Sequence, residues 1–165
     1  MDIAQLQQWI GRTETRTDVV NPVPVEALAA TLDRENPATD ALPPLWHWLY
    51  FLPLPKQSDL GPDGHPKRGG FLPPVPLPRR MWAGGRLQFH APLRIGQTIT
   101  RESRIADVKH KQGRTGSLVF VLVEHKISNQ HGLALTEEHD IVYRDVNLGA
   151  PPDPPPAPQL SLIHI

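Results

Sequence analysis

Proline is distributed so unevenly along this chain of 165 residues that it decides where regular β structure can form. Thirteen of the twenty prolines lie in residues 22–78 and six lie in residues 151–158, whereas residues 93–150 contain none. Proline fixes φ and cannot donate a hydrogen bond to a β ladder. We therefore expect the sheet to be concentrated in the proline-free part, after a long proline-rich arm.

Three strands are predicted within the proline-free part. Residues 97–107 are rich in Thr and Ile, residues 118–123 form the apolar run LVFVLV, and a third strand is expected over residues 133–146. The segments KQGRTG and NQHG supply the Gly and Asn that hairpin turns require. The pattern predicts an antiparallel meander, preceded by a short strand near residues 86–89. Because LVFVLV does not alternate, we expect a helix to cover one face and a second domain or subunit the other.

The first half of the chain favours helix and extended coil. Residues 3–10 are amphipathic, and residues 23–33 predict a core helix with Pro24 in its first turn, where a missing N–H is harmless. Residues 42–51, LPPLWHWLYF, are too aromatic to be left in water and are predicted to form a lid over the sheet. The apolar face of the core helix consists of Val25, Leu28, Ala29 and Leu32.

Charge and cysteine content exclude several classes of function. Lys plus Arg equals Asp plus Glu at 17 each, so no global field favours nucleic acid or an anionic membrane. The absence of cysteine excludes disulfides, thiolate metal sites and cysteine nucleophiles. No apolar run approaches the roughly 18 residues of a membrane span. We expect a cytoplasmic protein with no nucleic-acid or membrane partner.

Chemistry-bearing motifs are scarce. The eight histidines match no metal-ligand spacing, and the serines lack the GxSxG elbow of a nucleophile. In the loop GPDGHPKRGG, Asp63 lies two residues from His65, a pair suited to general acid–base work if it faces a cleft. A solvated turn explains the same residues.

Proline motifs raise a second possibility, a polyproline interaction module. Residues 72–80, LPPVPLPRR, contain a PxxP at Pro73 and Pro76, but Arg79 falls one position late for the flanking cation of an SH3 ligand. An extended arm crossing a folded surface explains the segment better. After the arm, the pair Gly84 and Gly85 is expected to carry the chain into the first strand through close backbone approach.

Several motifs resemble one family. DGHP, GGFLPPVPLPRRMWAGG, PLRIGQTI, VKHKQGRTGSLVFV and DIVYRD are similar to the N-terminal half of MaoC-like acyl-CoA hydratases, and more narrowly to the 3-methylfumaryl-CoA (mesaconyl-CoA) and itaconyl-CoA hydratase branch. The resemblance covers roughly residues 2–148 and implies an α+β, single hot-dog fold, in which a curved antiparallel sheet wraps around a central helix.

The resemblance also implies an activity. Such lyases add water across the double bond of an unsaturated dicarboxylic acyl-CoA, with no cofactor beyond the CoA thioester substrate, at the interface of two hot-dog halves. Their catalytic Asp and His belong to the second half. The equivalent segment here, residues 32–37, keeps Asp33 and Asn36 but has no histidine. The chain is therefore expected to be a substrate-binding half that pairs with a second hot-dog domain or subunit, as a homo-oligomer when full length, and no residue is assigned a catalytic role.

Candidate ligand contacts follow from charge and shape. Cationic side chains are candidates for CoA phosphates, with ordinary surface charge as the alternative, and tryptophans are candidate pocket walls, with core packing as the alternative. The candidate substrate-binding residues are Arg79, Arg80, Lys111, Arg114, Trp46, Trp82, Asp63 and His65.

The expected domain organisation is a hot-dog domain over residues 1–148 and a proline-rich linker with a truncated or artefactual tail over residues 149–165. Two rival functions remain open. One is a non-catalytic partner subunit of a separate hydratase chain. The other is a stand-alone hot-dog thioesterase or dehydratase that uses Asp63 and His65.

Overall fold

The computed structural model describes residues 1–35, 41–61, 63–113 and 116–145, and its main feature is one antiparallel five-stranded sheet. The strands are β1 (Thr13–Val19), β2 (Arg79–Phe89), β3 (Thr98–Gly113), β4 (Gly116–Asn129) and β5 (Gly132–Arg144), in the spatial order β1-β3-β4-β5-β2. Two α-helices, α1 (Ile3–Gln7) and α2 (Pro22–Thr31), and two short 3₁₀ turns, Trp46–Leu49 and Gln57–Asp59, complete the described elements. Within these residues no helix has the length and apolarity needed to cross a membrane.

The predicted meander of β3, β4 and β5 is confirmed. The turn between β4 and β5 forms at NQHG, where the Asn129 side chain accepts a hydrogen bond from the His131 N–H and Gly132 adopts a φ of 113°. That conformation suits glycine, which lacks the Cβ that would clash there. The turn between β3 and β4 includes residues 114 and 115, which lie outside the described part of the chain.

Two strands differ from the sequence expectation. β1 was not predicted at all, although its residues pair in register with β3 from Thr13 opposite Arg104 to Val19 opposite Thr98. β2 begins at Arg79 rather than near residue 86, so Gly84 and Gly85 lie inside a strand instead of leading into one. Pairing with β5 stabilises this longer strand, and a β-bulge lies between Trp82 and Gly84.

The helices are shorter than expected. α2 has ten residues and is capped by the Asn21 side chain, which accepts a hydrogen bond from the Val23 N–H. Val25 and Ala29 are buried, but Leu32 is 47% exposed, so the expected core face does not extend to the end of the segment. A helix of this length covers only one end of the sheet, and other segments must cover the rest.

Two apolar clusters lie on the same face of the sheet, which we call the inner face. The arm cluster consists of Leu6, Val75, Leu77, Ile105, Val108, Val119, Val121, Val123 and Tyr143. The lid cluster consists of Val20, Val25, Tyr50, Phe51, Leu93, Ile99, Ile127, Ala134 and Leu135. The LVFVLV run is thus covered on its inner face mainly by the proline arm, with Leu6 of α1, and not by a core helix.

The predicted lid, residues 42–51, is confirmed as a cover for one end of the inner face. Its Tyr50 and Phe51 side chains are buried in the lid cluster. The Tyr50 hydroxyl donates to the Asn21 carbonyl at 2.6 Å, and the Phe51 N–H donates to the Asp18 carboxylate at 2.7 Å. These bonds fasten the lid to β1 and to the start of α2.

The proline arm is held by one arginine. Prolines 73, 74, 76 and 78 leave few backbone donors in the arm, but its carbonyls remain free to accept. The Arg68 guanidinium donates to the carbonyls of Val75, Leu77 and Pro78 and lies 5.5 Å from the centre of the Tyr143 ring. Arg68 therefore fixes the arm against the sheet, as expected for an extended arm that crosses a folded surface.

The glycine pair in β2 yields a testable contrast. A Cβ built on Gly85 would lie 2.6 Å from the Glu138 carbonyl of β5 and 3.2 Å from the Trp82 ring, whereas one on Gly84 would meet only Asp140 at 4.0 Å. We expect Gly85→Ala to destabilise the protein by about 1–3 kcal/mol through overpacking. Gly84→Ala is the matched control and should change stability by less than about 1 kcal/mol. Urea denaturation of both variants measures the difference, and equal stabilities would contradict the prediction.

Candidate functional site

A band of polar side chains crosses the inner face between the two apolar clusters. The register places Glu14 opposite Ser103, Ser103 opposite His125, and His125 opposite Glu137, across four adjacent strands. Since alternate residues of a strand share a face, Arg16, Arg101 and His139 lie on this face as well. We call this set the polar band: Glu14, Arg16, Arg101, Ser103, His125, Glu137 and His139.

Glu137 is the most buried acid of the band, at 3% exposure, and accepts three hydrogen bonds. One carboxylate oxygen, Oε1, lies 2.8 Å from both Trp48 Nε1 and His139 Nε2, and the other lies 3.1 Å from His47 Nε2. Burial alone would raise the pKa of Glu137, but hydrogen bonds from His139, His47 and Trp48 outweigh burial and hold it well below its usual range. The carboxylate is therefore ionised and fully engaged, and both histidines donate to it.

His125 lies beside this carboxylate but is kept neutral. Its Nδ1 lies 2.8 Å from the Ser103 hydroxyl, and its ring meets the His139 ring edge to face at 4.7 Å. Burial, followed by the nearby charges of His139 and Arg101, lowers the pKa of His125 to about 3. At neutral pH His125 is thus an uncharged hydrogen-bonding group.

The polar band opens into a cleft of about 560 Å³, which we call the inner cleft. The sheet contributes Arg16, Arg101, His125 and His139 to its lining, and Pro53 lies at the lid side. β2 contributes Arg80, Met81 and Trp82, and the loop before the proline arm contributes His65, Lys67 and Phe71. Apart from Glu14, whose carboxylate is bonded to Arg16, the charged groups of the lining are cations, and together with the aromatic rings they suit an elongated ligand that carries negative charge.

The arginines of the inner cleft differ in how their charge is balanced. Arg16 is held by Glu14 through two hydrogen bonds of 2.8 and 3.2 Å. Arg101 lies over the Phe51 ring at 5.0 Å, and its Nε is buried without a hydrogen-bond partner among the described residues. Arg80, 9% exposed, is 4.0 Å from Asp63, and its Nε and Nη2 likewise find no hydrogen-bond partner in the described ranges.

The sequence-predicted site residues fall into three groups. His65, Arg80 and Trp82 line the inner cleft, and Trp82 is 58% exposed rather than packed in a core. Trp46 packs against the lid cluster, while Asp63 lies beside Arg68 and Arg80. Arg79 and Lys111 occupy the other face of the sheet by register, and Arg114 lies outside the described residues. None of these positions tests ligand binding, so the assignments stay predictions.

The pair Asp63 and His65 forms a local turn. The His65 N–H donates to the Asp63 side chain at 3.2 Å, and His65 Nδ1 lies 3.1 Å from the Asp63 carbonyl. Burial tends to raise the pKa of Asp63, but the His65 N–H and the Arg80 and Arg68 charges outweigh it and lower that pKa. The carboxylate is thus a stable anion held by the His65 N–H and by the charges of Arg68 and Arg80.

Sequence analysis missed Glu137, His125, His139 and Arg101. The available signal was parity: Leu135, Glu137 and His139 alternate with outward-facing residues along β5, so a Glu and a His occupy inner-face positions next to apolar ones. Buried polar groups need partners, and such positions deserve a search for them. Among the described residues, no group of three or more His, Asp or Glu is arranged to hold a metal ion.

Comparison with known sequences gives consistent matches. A model of the family described as hydroxyacyl-thioester dehydratase type 2 matches residues 45–163. A mesaconyl-C(4)-CoA hydratase of Chloroflexus aurantiacus is 49% identical over 167 residues, 99% of this chain and 59% of that protein. A mitochondrial hydroxyacyl-thioester dehydratase type 2 of Schizosaccharomyces pombe is 32% identical over 91 residues, 49% of this chain and 30% of that protein. The chain spans less than two thirds of the length of either relative.

Solved structures share the architecture. One chain of the ChsH1-ChsH2 complex from Mycobacterium tuberculosis superposes with a TM-score of 0.64 at 16% identity, covering 92% of this chain and 94% of that one. The unliganded R-hydratase PhaJ1 from Pseudomonas aeruginosa gives a TM-score of 0.51 at 16% identity, with 88% and 91% covered. A hot-dog-like protein from Thermanaerovibrio acidaminovorans gives 0.52 at 12% identity, with 87% and 89% covered. The expected hot-dog fold is confirmed, and its described helix α2 has ten residues.

Proposed function

We propose, since this chain belongs to the hydroxyacyl-thioester dehydratase type 2 family, that it is the substrate-binding half of a hydratase acting on an unsaturated dicarboxylic acyl-CoA such as 3-methylfumaryl-CoA. The resemblance of its motifs to MaoC-like hydratases is confirmed by this membership. The reaction adds the elements of water across the carbon–carbon double bond next to the thioester. The 49% identical C. aurantiacus protein, named for mesaconyl-C(4)-CoA, supports this substrate class.

The observation that carries the proposal is the inner cleft. A CoA thioester combines an extended apolar and amide-containing arm with phosphate anions, and the cleft offers Trp82 and Phe71 as apolar walls and Arg80 and Lys67 as cations. Arg79 and Lys111 lie on the other face of the sheet and Arg114 lies outside the described residues, so the inner cleft does not support these three candidate CoA contacts. No cofactor beyond the thioester substrate is required for such a hydration.

Binding rather than catalysis is favoured by the state of the ionisable groups. A general base must reach the proton that it takes and have an available lone pair. Glu137 accepts three internal hydrogen bonds, and the neutral His125 is bonded to Ser103. Glu137 and His125 are thus each committed to other partners within the fold, and the reacting acid and base are proposed to come from elsewhere.

A second hot-dog domain or subunit is the proposed source. β2 is an edge strand of the sheet, and its Met81 and Trp82 side chains, 44% and 58% exposed, line the inner cleft, while Phe89 farther along β2 is 50% exposed. Edge strands with exposed apolar side chains are suited to pairing with another chain or domain. We propose this assembly in the cytoplasm, as a homo-oligomer of the full-length protein.

Binding and turnover measurements test the proposal. We expect the purified 165-residue chain to bind 3-methylfumaryl-CoA, followed by titration calorimetry, without consuming it, followed by the absorbance of the conjugated thioester. Addition in trans of the part of the C. aurantiacus hydratase that this chain does not match should restore hydration. Absence of binding would rule out the substrate-binding role.

The two rival functions give different results in the same assay. A stand-alone enzyme would turn over the thioester without any added partner and would lose that activity in His65→Ala. A partner subunit of a separate hydratase would associate with that chain physically, yet its inner cleft would not be needed for acyl-CoA binding. Trp82→Ala, which removes a cleft wall, should weaken binding under our proposal and leave it unchanged for a pure partner subunit.

A further inference from the structure

Two arginines lie directly opposite each other where β1 meets β3, and only one is neutralised. The register pairs Arg16 with Arg101, and both side chains line the inner cleft. The Arg16 guanidinium donates two hydrogen bonds to the Glu14 carboxylate, one to each oxygen. This bidentate geometry is favourable for an arginine and a carboxylate. Arg16 therefore has its counterion within the protein.

Arg101 is balanced only at a distance, because the Glu14 and Glu137 carboxylates attract its charge but neither is hydrogen-bonded to it. Among the described residues, no carboxylate forms an ion pair with its guanidinium, and its buried Nε has no hydrogen-bond partner. Its contact is the Phe51 ring, which supports a cation through its face but accepts no conventional hydrogen bond. An unpaired, partly buried charge with an unmet donor is costly, so a site that retains one points to an anion from outside the chain.

We propose that Arg101 binds the free carboxylate of a dicarboxylic acyl group, and so selects acyl-CoA substrates that carry this second acid. This inference rests on the proposed function, because it names the feature of the substrate that the inner cleft reads. The guanidinium fork matches a carboxylate, and the Phe51 ring supports the cation from 5.0 Å.

The phosphates of CoA are the rival source of an anion for Arg101. The strand register places Arg101 and Arg80 at different levels along β5. Arg101 pairs with Ile127, which pairs with Leu135, whereas Arg80 pairs with Tyr143. Leu135 and Tyr143 lie on the order of 25 Å apart along β5 at the rise of an extended strand. Arg80 can therefore meet the nucleotide end of a bound thioester while Arg101 meets the acyl end.

Two CoA thioesters of equal chain length isolate the carboxylate. Succinyl-CoA and butyryl-CoA share the whole CoA moiety and a four-carbon acyl chain, and only the former ends in a carboxylate. We expect the wild-type chain to bind succinyl-CoA more tightly than butyryl-CoA by roughly tenfold to a hundredfold, the worth of a charge-assisted hydrogen-bond pair. Titration calorimetry, or the tryptophan emission to which Trp82 of the cleft lining contributes, provides the readout.

The variants assign that preference to one side chain. Arg101→Gln should abolish the preference by weakening the binding of succinyl-CoA far more than that of butyryl-CoA, and Arg101→Lys should retain part of the preference. Arg104→Gln is the matched control, because Arg104 lies on the outer face of the same strand, 50% exposed and paired with Glu124 at 2.9 Å. It should behave as the wild type.

Other results would contradict either the carboxylate assignment or the proposed function. Equal weakening of both thioesters by Arg101→Gln would place Arg101 on a CoA phosphate and refute the carboxylate assignment. Equal wild-type affinities for the two thioesters would also refute it, without need of any folded variant, and would leave the proposed function intact. Failure of the wild-type chain to bind either thioester would refute the proposed function itself.

Discussion

Replacing Glu137 with Ala is expected to lower the free energy of unfolding by about 3–5 kcal/mol, because it removes a buried carboxylate that is the common acceptor of three side chains, one of them buried as well. His47, Trp48 and His139 all donate to this carboxylate, and His47 is 4% exposed. Without the carboxylate, these N–H groups lose their acceptor. An unsatisfied donor costs more free energy than an intact hydrogen bond contributes. Urea denaturation followed by far-UV circular dichroism measures the change.

Glu138→Ala is the matched control for Glu137. Glu138 is the next residue, faces the opposite side of the sheet and forms an exposed ion pair with Arg86, so its loss should cost no more than about 1 kcal/mol. Trp48 gives a second readout, because its indole N–H bonds Glu137 at 2.8 Å from within the lid. In Glu137→Ala the lid should loosen and the tryptophan emission should shift to the red. Equal stability of the two variants would refute a structural role for Glu137.

Strands β3, β4 and β5 could be predicted from the sequence because three signals coincide there. Proline is absent, β-branched residues are frequent, and glycine or asparagine stands at the turns. β1 has the same length as an average strand but gives no apolar alternation, since its inward positions are Glu14, Arg16 and Asp18. A strand whose inner face carries charge cannot be found by hydrophobic period alone.

The site could not be predicted for a related reason. Glu137 and His47 are ninety positions apart, and only the strand register and the path of the lid bring them together. Motif spacing relates residues that are only a few positions apart. It therefore gave no sign that His47 and Glu137 are partners. The candidates that sequence analysis placed at the cleft, Arg80 and Trp82, were found because they interrupt the proline arm with charge and an aromatic ring. Arg101, within an ordinary strand pattern, gave no such local signal.

The second large effect concerns pH and His125. Its pKa is lowered to about 3 in the folded protein, chiefly by burial, against about 6.5 in the unfolded chain. Between these two values the unfolded state binds a proton that the folded state does not, so stability falls as the pH falls. From pH 6.5 to pH 4.5 this amounts to roughly 2–3 kcal/mol. Glu137, whose pKa is lowered by folding, acts in the same direction below about pH 4.5.

Variants at two histidines separate this effect from general acid destabilisation. His125→Asn places an amide near the position of the His125 Nδ1, which lies 2.8 Å from the Ser103 hydroxyl. The amide does not take up a proton between pH 7 and pH 4.5. The variant has a lower absolute stability because it leaves space in the core, but its slope between pH 7 and pH 4.5 should be shallower by about 1 kcal/mol per pH unit. His131→Asn, in the exposed β4–β5 turn, should keep the wild-type slope. Equal slopes of stability against pH for wild type and His125→Asn would mean that His125 takes up its proton within the fold. The polar band would then carry a positive charge on His125 in addition to that of Arg101.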